Sequence, residues 1–215
     1  GNSFFRRNWV EAPSSTTARD GLGPHFLARS CAGCHVQDGR GAPHDPKHLF
    51  QRLMPEQPVA LLFRLSLEGH DGQLGPEPTY GGQFANASVQ DVKPEGQVHI
   101  RYTEQPGRFA DGSPYSLRQP SYRFSQLAYG PMHPKTLVGP RIAPQLPGVG
   151  LIDAIRTADI EQNAREQTLR TDAIRGQVSY VDDPFSGKAV GRFGWKANAG
   201  SLSHQTAGAF NGDIG

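Results

Sequence analysis

Cys31-Ala32-Gly33-Cys34-His35 contains both cysteines of the chain, with a histidine directly after the second. Any fold must present these five residues on about one helical turn, because a turn brings side chains three apart onto one face. Covalent haem attachment accounts for every residue of the motif. The two thiols add to the vinyl groups along one porphyrin edge, His35 turns its imidazole to the iron, and the small Ala32 and Gly33 let the macrocycle lie close to the backbone. A structural zinc site needs four ligands. His44 and His48 would complete it with Cys31 and Cys34 after a short loop, and that reading stays open beside the first. A redox dithiol belongs between the strand and the helix of a βαβ unit, and Gly23-Pro24-His25-Phe26 reads as no such strand. An inert buried pair is the fourth reading. Covalent haem c is attached outside the bacterial cytoplasm, so the first reading carries a periplasmic location with it.

The 26 glycines and 18 prolines among 215 residues make up about a fifth of the chain, against about 12% in average usage. Regular elements are therefore expected to be short and joined by turns, although the length allows one sizeable domain with a real core. Charge is nearly balanced, 22 basic against 20 acidic residues for a net +2. No basic cluster marks a polyanion binder, so no nucleic-acid partner is expected. The longest apolar run, Val59 to Phe63, is far below the roughly 20 residues that cross a bilayer, and no membrane span is expected. No signal-peptide pattern opens the chain, so an export signal is expected to have been removed or left out.

Local patterns place the elements. Residues 1–20 read as an irregular lead-in. Pro24 at a first-turn position predicts a short helix that delivers the cysteines. Residues 36–58, with His44 and His48, read as loop. Alternation predicts a strand over Val59 to Leu67, and alternating Val98, Ile100 and Tyr102 before the turn signal Ala110-Asp111-Gly112-Ser113, with Tyr115 and Leu117 after it, predict a hairpin. Residues 129–150 read as one long Pro- and Gly-rich loop. Leu151, Ile155 and Ala158 share a helical face, and Thr157 is the expected cap of a helix from Ala158 to about Arg165. A second hairpin joins Val178 to Val181 with Ala189 to Phe193 across Ser186-Gly187, and Ser201 to Phe210 reads as a helix.

The strings "GLGPHFLARSCAGCHVQDGRGAP", "YGGQ", "LAYGPMHP", "GPRIAPQLPGVGLIDAI", "GRFGWKA" and "SLSHQTAGAFNGDIG" resemble the di-haem oxidoreductases that are sometimes labelled thiol oxidoreductases. The resemblance runs over nearly the whole chain. Members carry two haem motifs, and only one is present here. The resemblance thus implies that residues 21–215 are an N-terminal cytochrome c-like haem domain and that the second haem domain is absent from this chain. The fold class it implies is α+β: a mostly helical core around one haem, with a large β-hairpin and loop insertion within residues 59–195.

"WKANAGSLSHQTAGAFNGDIG" is also similar, more distantly, to the Trp-x-x-x-Ala-x-x-Leu-x-x-Gln segment of bacterial di-haem cytochrome c peroxidases. That similarity implies that Trp195 relays electrons between haems and that Gln205 orients a bound peroxide. Asp213 would be the pocket carboxylate that moves the proton; it matches only with a two-residue deletion and is Asp where those enzymes have Glu. His133 in "YGPMHP" matches the family string and is the first choice for the sixth iron ligand. Met132 beside it would instead give a high-potential electron-transfer haem. His48 is a further choice, and an open position is what a peroxide-binding haem would use. His25, His44, His70, His99 and His204 read as surface or hydrogen-bonding histidines. The expected cofactor is one haem c in this chain, with a second in the full protein. The expected partners are a small oxidant such as peroxide and a redox partner protein or second haem domain. The alternative functions are a closed six-coordinate electron-transfer cytochrome and a zinc-binding domain without haem.

Overall fold

The computed structural model describes residues 1–42, 60–69 and 72–215. His44, His48 and His70, and with them the histidines of the zinc reading, lie outside the described residues. The α+β class holds, with 21% helix and 30% strand.

Strand β2, Leu61–Glu68, organises the main core. It pairs antiparallel with β3, Leu74–Gly75, and with β7, Leu137–Ile142. Its alternation buries Phe63 and Leu65 and leaves Arg64 exposed, as a strand with one face on the core requires. The 82–84 segment lies along β2 through Leu65 N–H to the Gly82 carbonyl at 3.1 Å and Phe84 N–H to the Phe63 carbonyl at 3.0 Å. Phe84, 1% exposed, points into the core, where full burial of such a side chain stabilises by about 1.5–3 kcal/mol. Gln83 therefore points to the opposite side. Tyr80, Val98, Ile100, Tyr122, Phe124, Met132 and Val138 complete the cluster, and Phe124 meets Phe84 edge-on at 4.9 Å.

The long hairpin forms as the alternation predicts. Strand β5, Gln97–Arg108, pairs with β6, Pro114–Ser125, in continuous antiparallel register. Its tip closes through Phe109 N–H to Ser113 O at 2.9 Å, with Gly112 at φ +85°, a conformation glycine adopts freely. Strand β8, Tyr180–Asp183, and β9, Gly187–Val190, form the second hairpin. The helix Leu202–Ala209 starts on the Ser201 side chain, which accepts the His204 N–H, and continues as a π-helical turn, Phe210–Ile214.

A second apolar cluster joins Leu22, Phe26 and Ile214 with Trp9, Ala87, Val89 and Phe210. It fastens the Phe210–Ile214 turn to the segment that leads into the cysteine motif.

Four expectations are corrected. The helix expected from Pro24 into Cys31 does not form, although Asn2–Arg6 within the expected irregular lead-in is helical: His25–Phe26 forms the two-residue strand β1 against β4, Ala87–Ser88. The Leu27 and Ala28 N–H groups are taken by the Asp213 carbonyl at 2.9 and 3.1 Å, so a tertiary acceptor replaces the helical ladder. The 129–150 loop contains β7, which tolerates Pro140 because it is an edge strand. Thr157 is the first residue of the Thr157–Gln167 helix and not its cap; its hydroxyl accepts from Arg192 at 3.1 Å. Finally, strand outweighs helix, and the larger buried cluster is built on strands and loops, so helices do not dominate the core of the described residues.

Candidate functional site

The only regular helix of the motif is Cys31–Cys34. Ser30, 6% exposed and extended at φ −157°, sets its start, and the His35 N–H closes the turn on the Cys31 carbonyl at 2.9 Å. Both cysteines are free thiols and half-buried. The expected spacing on one turn is therefore present, with His35 leaving the helix at φ −101°, ψ 64°.

His35 Nδ1 lies 2.8 Å from the carbonyl oxygen of Pro144. A carbonyl only accepts, so Nδ1 carries the proton and the Nε2 lone pair is free. Metal-binding imidazoles are held in this way, with the second ring nitrogen fixed by an outer acceptor. Pro144 is itself held at the end of β7. Ala143 N–H donates to Ala60 O at 3.0 Å, Gly41 N–H to Ala143 O at 2.9 Å, and Leu146 N–H to Asp38 O at 2.9 Å. Arg40 adds a 2.6 Å bond to the Gln145 side chain. Gln37 and Asp38, at φ 54° and 61°, turn the chain after His35 so that the 38–41 and 143–146 segments meet. The Phe5 ring lies 6.5 Å from the imidazole.

Asp213 comes to the same turn from the other end of the chain. Besides its carbonyl bonds to Leu27 and Ala28, the neighbouring Ile214 carbonyl accepts the Gly23 N–H at 3.0 Å. The approach is so close that a Cβ at Gly23 would overlap the backbone of Gly215. The Asp213 carboxylate accepts from Gln83 Nε2 at 2.7 Å, and the same nitrogen donates to Gly212 O at 2.6 Å. Burial pushes the Asp213 carboxyl above the usual carboxylate range, opposed by the Gln83 hydrogen bond and by the charges of Arg64 and His35.

The thiols feel the same field. Burial, then Asp213, then Cys31 push Cys34 up to about 11. Cys31 is also raised, by burial first and by Asp213, against a lowering backbone hydrogen bond. Thiols in this setting stay protonated at neutral pH, which is the opposite of the lowered value a reactive redox dithiol uses. Strand β1 belongs to no βαβ unit, since its partner β4 is antiparallel. Among the described residues, no group of three or more His, Cys, Asp and Glu side chains is arranged to hold a metal ion.

The other sequence candidates are distributed differently. Phe193 and Ala199 bridge, and Trp195 sits on the turn between them with its side chain 55% exposed. Gly194, at φ +80°, packs against Gln205, and a Cβ there would lie 3.2 Å from Gln205 Oε1. Trp195 and Gln205 thus share one neighbourhood, and Asp213 is the member that reaches the cysteine turn. His133 donates its backbone N–H to Glu77 Oε1 at 2.8 Å, and its Nδ1 accepts the Lys135 N–H at 3.2 Å. That bond puts the ring proton on Nε2, the nitrogen a distal ligand would offer. Met132 packs in the β2 core cluster. His25 bonds Lys93 O and the Tyr129 hydroxyl, and His99 bonds Ser125. His204 lies 3.5 Å from Asp183.

Sequence reasoning did not single out Pro144, Gln83 or Arg64. Pro144 lay in a segment read as loop, and nothing local marks a carbonyl that acts 109 residues away. Gln83 was visible only as part of "YGGQ".

The profile of the family described as "Di-haem oxidoreductase, putative peroxidase" matches residues 1–215. The chain belongs to the di-haem oxidoreductases. Neither the comparison with curated proteins nor that with solved structures returned a match. Membership of this family makes haem the cofactor class and oxidoreduction the general activity. The residues around the motif fit that cofactor: two protonated thiols on one turn and an imidazole whose Nε2 is free. Among the described residues, no helix is long and apolar enough to cross a membrane.

Proposed function

We propose that this chain is a haem c-binding domain of a peroxidase-type di-haem oxidoreductase, corresponding to the N-terminal, peroxide-side haem. The observation that carries the reading is the 2.8 Å bond from His35 Nδ1–H to the Pro144 carbonyl. It fixes the tautomer and ring direction that an iron ligand needs, on the residue that follows the second cysteine. Cys31 and Cys34 would hold the haem through two thioether links, and His35 would hold its iron through Nε2. Haem, when bound, supplies the redox change.

The remaining steps belong to the protein. Asp213, buried and raised, is poised to hold a proton and release it to an oxygen of a small oxidant such as peroxide. Gln205 orients that oxidant, and Trp195, on its exposed turn, passes the electrons that its reduction consumes from a second haem domain or a redox partner protein. His133 is the sixth ligand to test; it must give up its Lys135 N–H bond to present Nε2. Thioether formation places the mature protein in the periplasm.

Intact mass and a pyridine haemochrome spectrum of the exported full protein test the assignment. A mass gain of one haem per Cys31–His35 motif is expected; a colourless protein of unmodified mass overturns it. Carbon monoxide binding to the ferrous protein separates the two haem readings, since a closed electron-transfer haem resists it.

A further inference from the structure

We infer that Gln83 is the positioning residue for Asp213: its side-chain amide fixes the carboxylate that faces the Cys31–His35 turn and holds it as an acceptor. The inference rests on the reading of Asp213 as the proton carrier of the site, and it adds a residue from a different part of the chain.

The amide nitrogen uses both of its hydrogens on the segment that bears Asp213, one on Gly212 O at 2.6 Å and one on Asp213 Oδ1 at 2.7 Å. A carbonyl carries no proton, so the Gly212 bond gives the amide one orientation; turned over, Oε1 would face the Gly212 carbonyl oxygen. The cost of this arrangement is visible at the other end of the group. Among the described residues, Gln83 Oε1 is buried with no hydrogen-bond partner, and leaving a buried acceptor unpaired is costly. An apolar side chain of the same length would avoid that penalty, so what glutamine adds here is its two donors.

The backbone delivers Gln83 without freedom. The Gly82 and Phe84 hydrogen bonds to β2 flank it, and Phe84 is anchored in the core. Gly212 packs against the amide from the opposite side, where a Cβ would lie 3.4 Å from Gln83 Nε2, an ordinary contact. The other charged or titratable groups that act on the carboxylate are Arg64, His35, Cys31 and Cys34. Donors to a carboxylate favour its charged form, and burial disfavours it. Gln83 therefore offsets the burial of Asp213 and keeps the group able to take up a proton as well as to release one.

The test is a pH titration of the Asp213 carboxyl by NMR of the full protein labelled with ¹³C-aspartate, the resonance being identified by its loss in Asp213→Asn. The titration is run on haem-loaded protein and on protein made without the export machinery, which carries no haem. Gln83→Met keeps the volume and removes both donors; the Asp213 midpoint is expected to rise by about one pH unit, a tenfold change in proton affinity. Gln83→Glu puts a like charge beside the carboxylate and is expected to raise it further, and it serves should the methionine variant not fold. A merely structural Gln83 would lower the melting temperature and leave the midpoint in place, and that result overturns the inference. The haem-free arm reads Gln83 whether or not haem attaches, whereas the haemochrome reads the haem assignment alone.

Discussion

The imidazole of His35 is tied at Nδ1 to the carbonyl oxygen of Pro144, 2.8 Å away and 109 residues along the chain. Replacing the ring removes the proposed iron ligand while leaving both cysteines in place. His35→Ala is expected to retain covalent haem at reduced yield and to shift its ferric absorption spectrum, with added imidazole restoring the unsubstituted protein's spectrum. Optical spectra with and without imidazole check this.

The Asp213 carboxyl is raised by burial, so its folded value lies above its unfolded one. Its contribution to stability is full below the unfolded value and is lost as pH rises through the folded value. Asp213→Asn is expected to abolish that loss in the mildly acidic window, seen as a flatter plot of melting temperature against pH.

Glu77 shows the opposite sign. Its carboxylate is 2% exposed and accepts N–H bonds from Thr79, Tyr80 and His133 at 2.7, 2.6 and 2.8 Å. Burial opposes its charge, and the three bonds win, holding its carboxyl below the usual range. That stability is present above the unfolded value and is lost as pH falls through the folded value. Glu77→Gln turns an amino group toward one set of donors and is expected to cost about 1–3 kcal/mol per orphaned N–H, as read by urea denaturation.

Gly23 meets the backbone of Gly215 with no room for a Cβ. Gly23→Ala is expected to lower stability by about 1–3 kcal/mol and to loosen the Phe210–Ile214 turn. Faster hydrogen exchange of the Leu27 and Ala28 amides, whose acceptor is the Asp213 carbonyl, is the specific sign.

Ser201 caps the Leu202–Ala209 helix and donates its hydroxyl to Asp183 at 2.7 Å. Ser201→Ala is expected to cost about 1 kcal/mol, and more if the buried Asp183 is left short of a donor. Thermal unfolding of the two proteins side by side measures it.

Much of this was legible along the chain because its causes are local. The CAGCH turn, the alternation in β2 and β5, the Asp111-Gly112 tip and the Ser201 cap all depend on residues within a few positions of each other. The failures share one cause. The run from Pro24 through Phe26 and Leu27 reads as a helix from its first-turn proline and apolar residues, yet Phe26 pairs with Ala87 and the Leu27 and Ala28 amides bond to the Asp213 carbonyl. The 129–150 loop hid β7 because a strand that contains Pro140 is acceptable only once its edge position is known.

By itself the sequence determined that two thiols and an imidazole share one turn, because spacing on a helix is a matter of covalent geometry. Which way that imidazole points, and what lies beside the thiols, only the tertiary structure decided. Pro144 supplies a main-chain carbonyl and Asp213 a buried carboxylate from far along the chain, and no local pattern encodes where a distant backbone oxygen or side chain will come to rest.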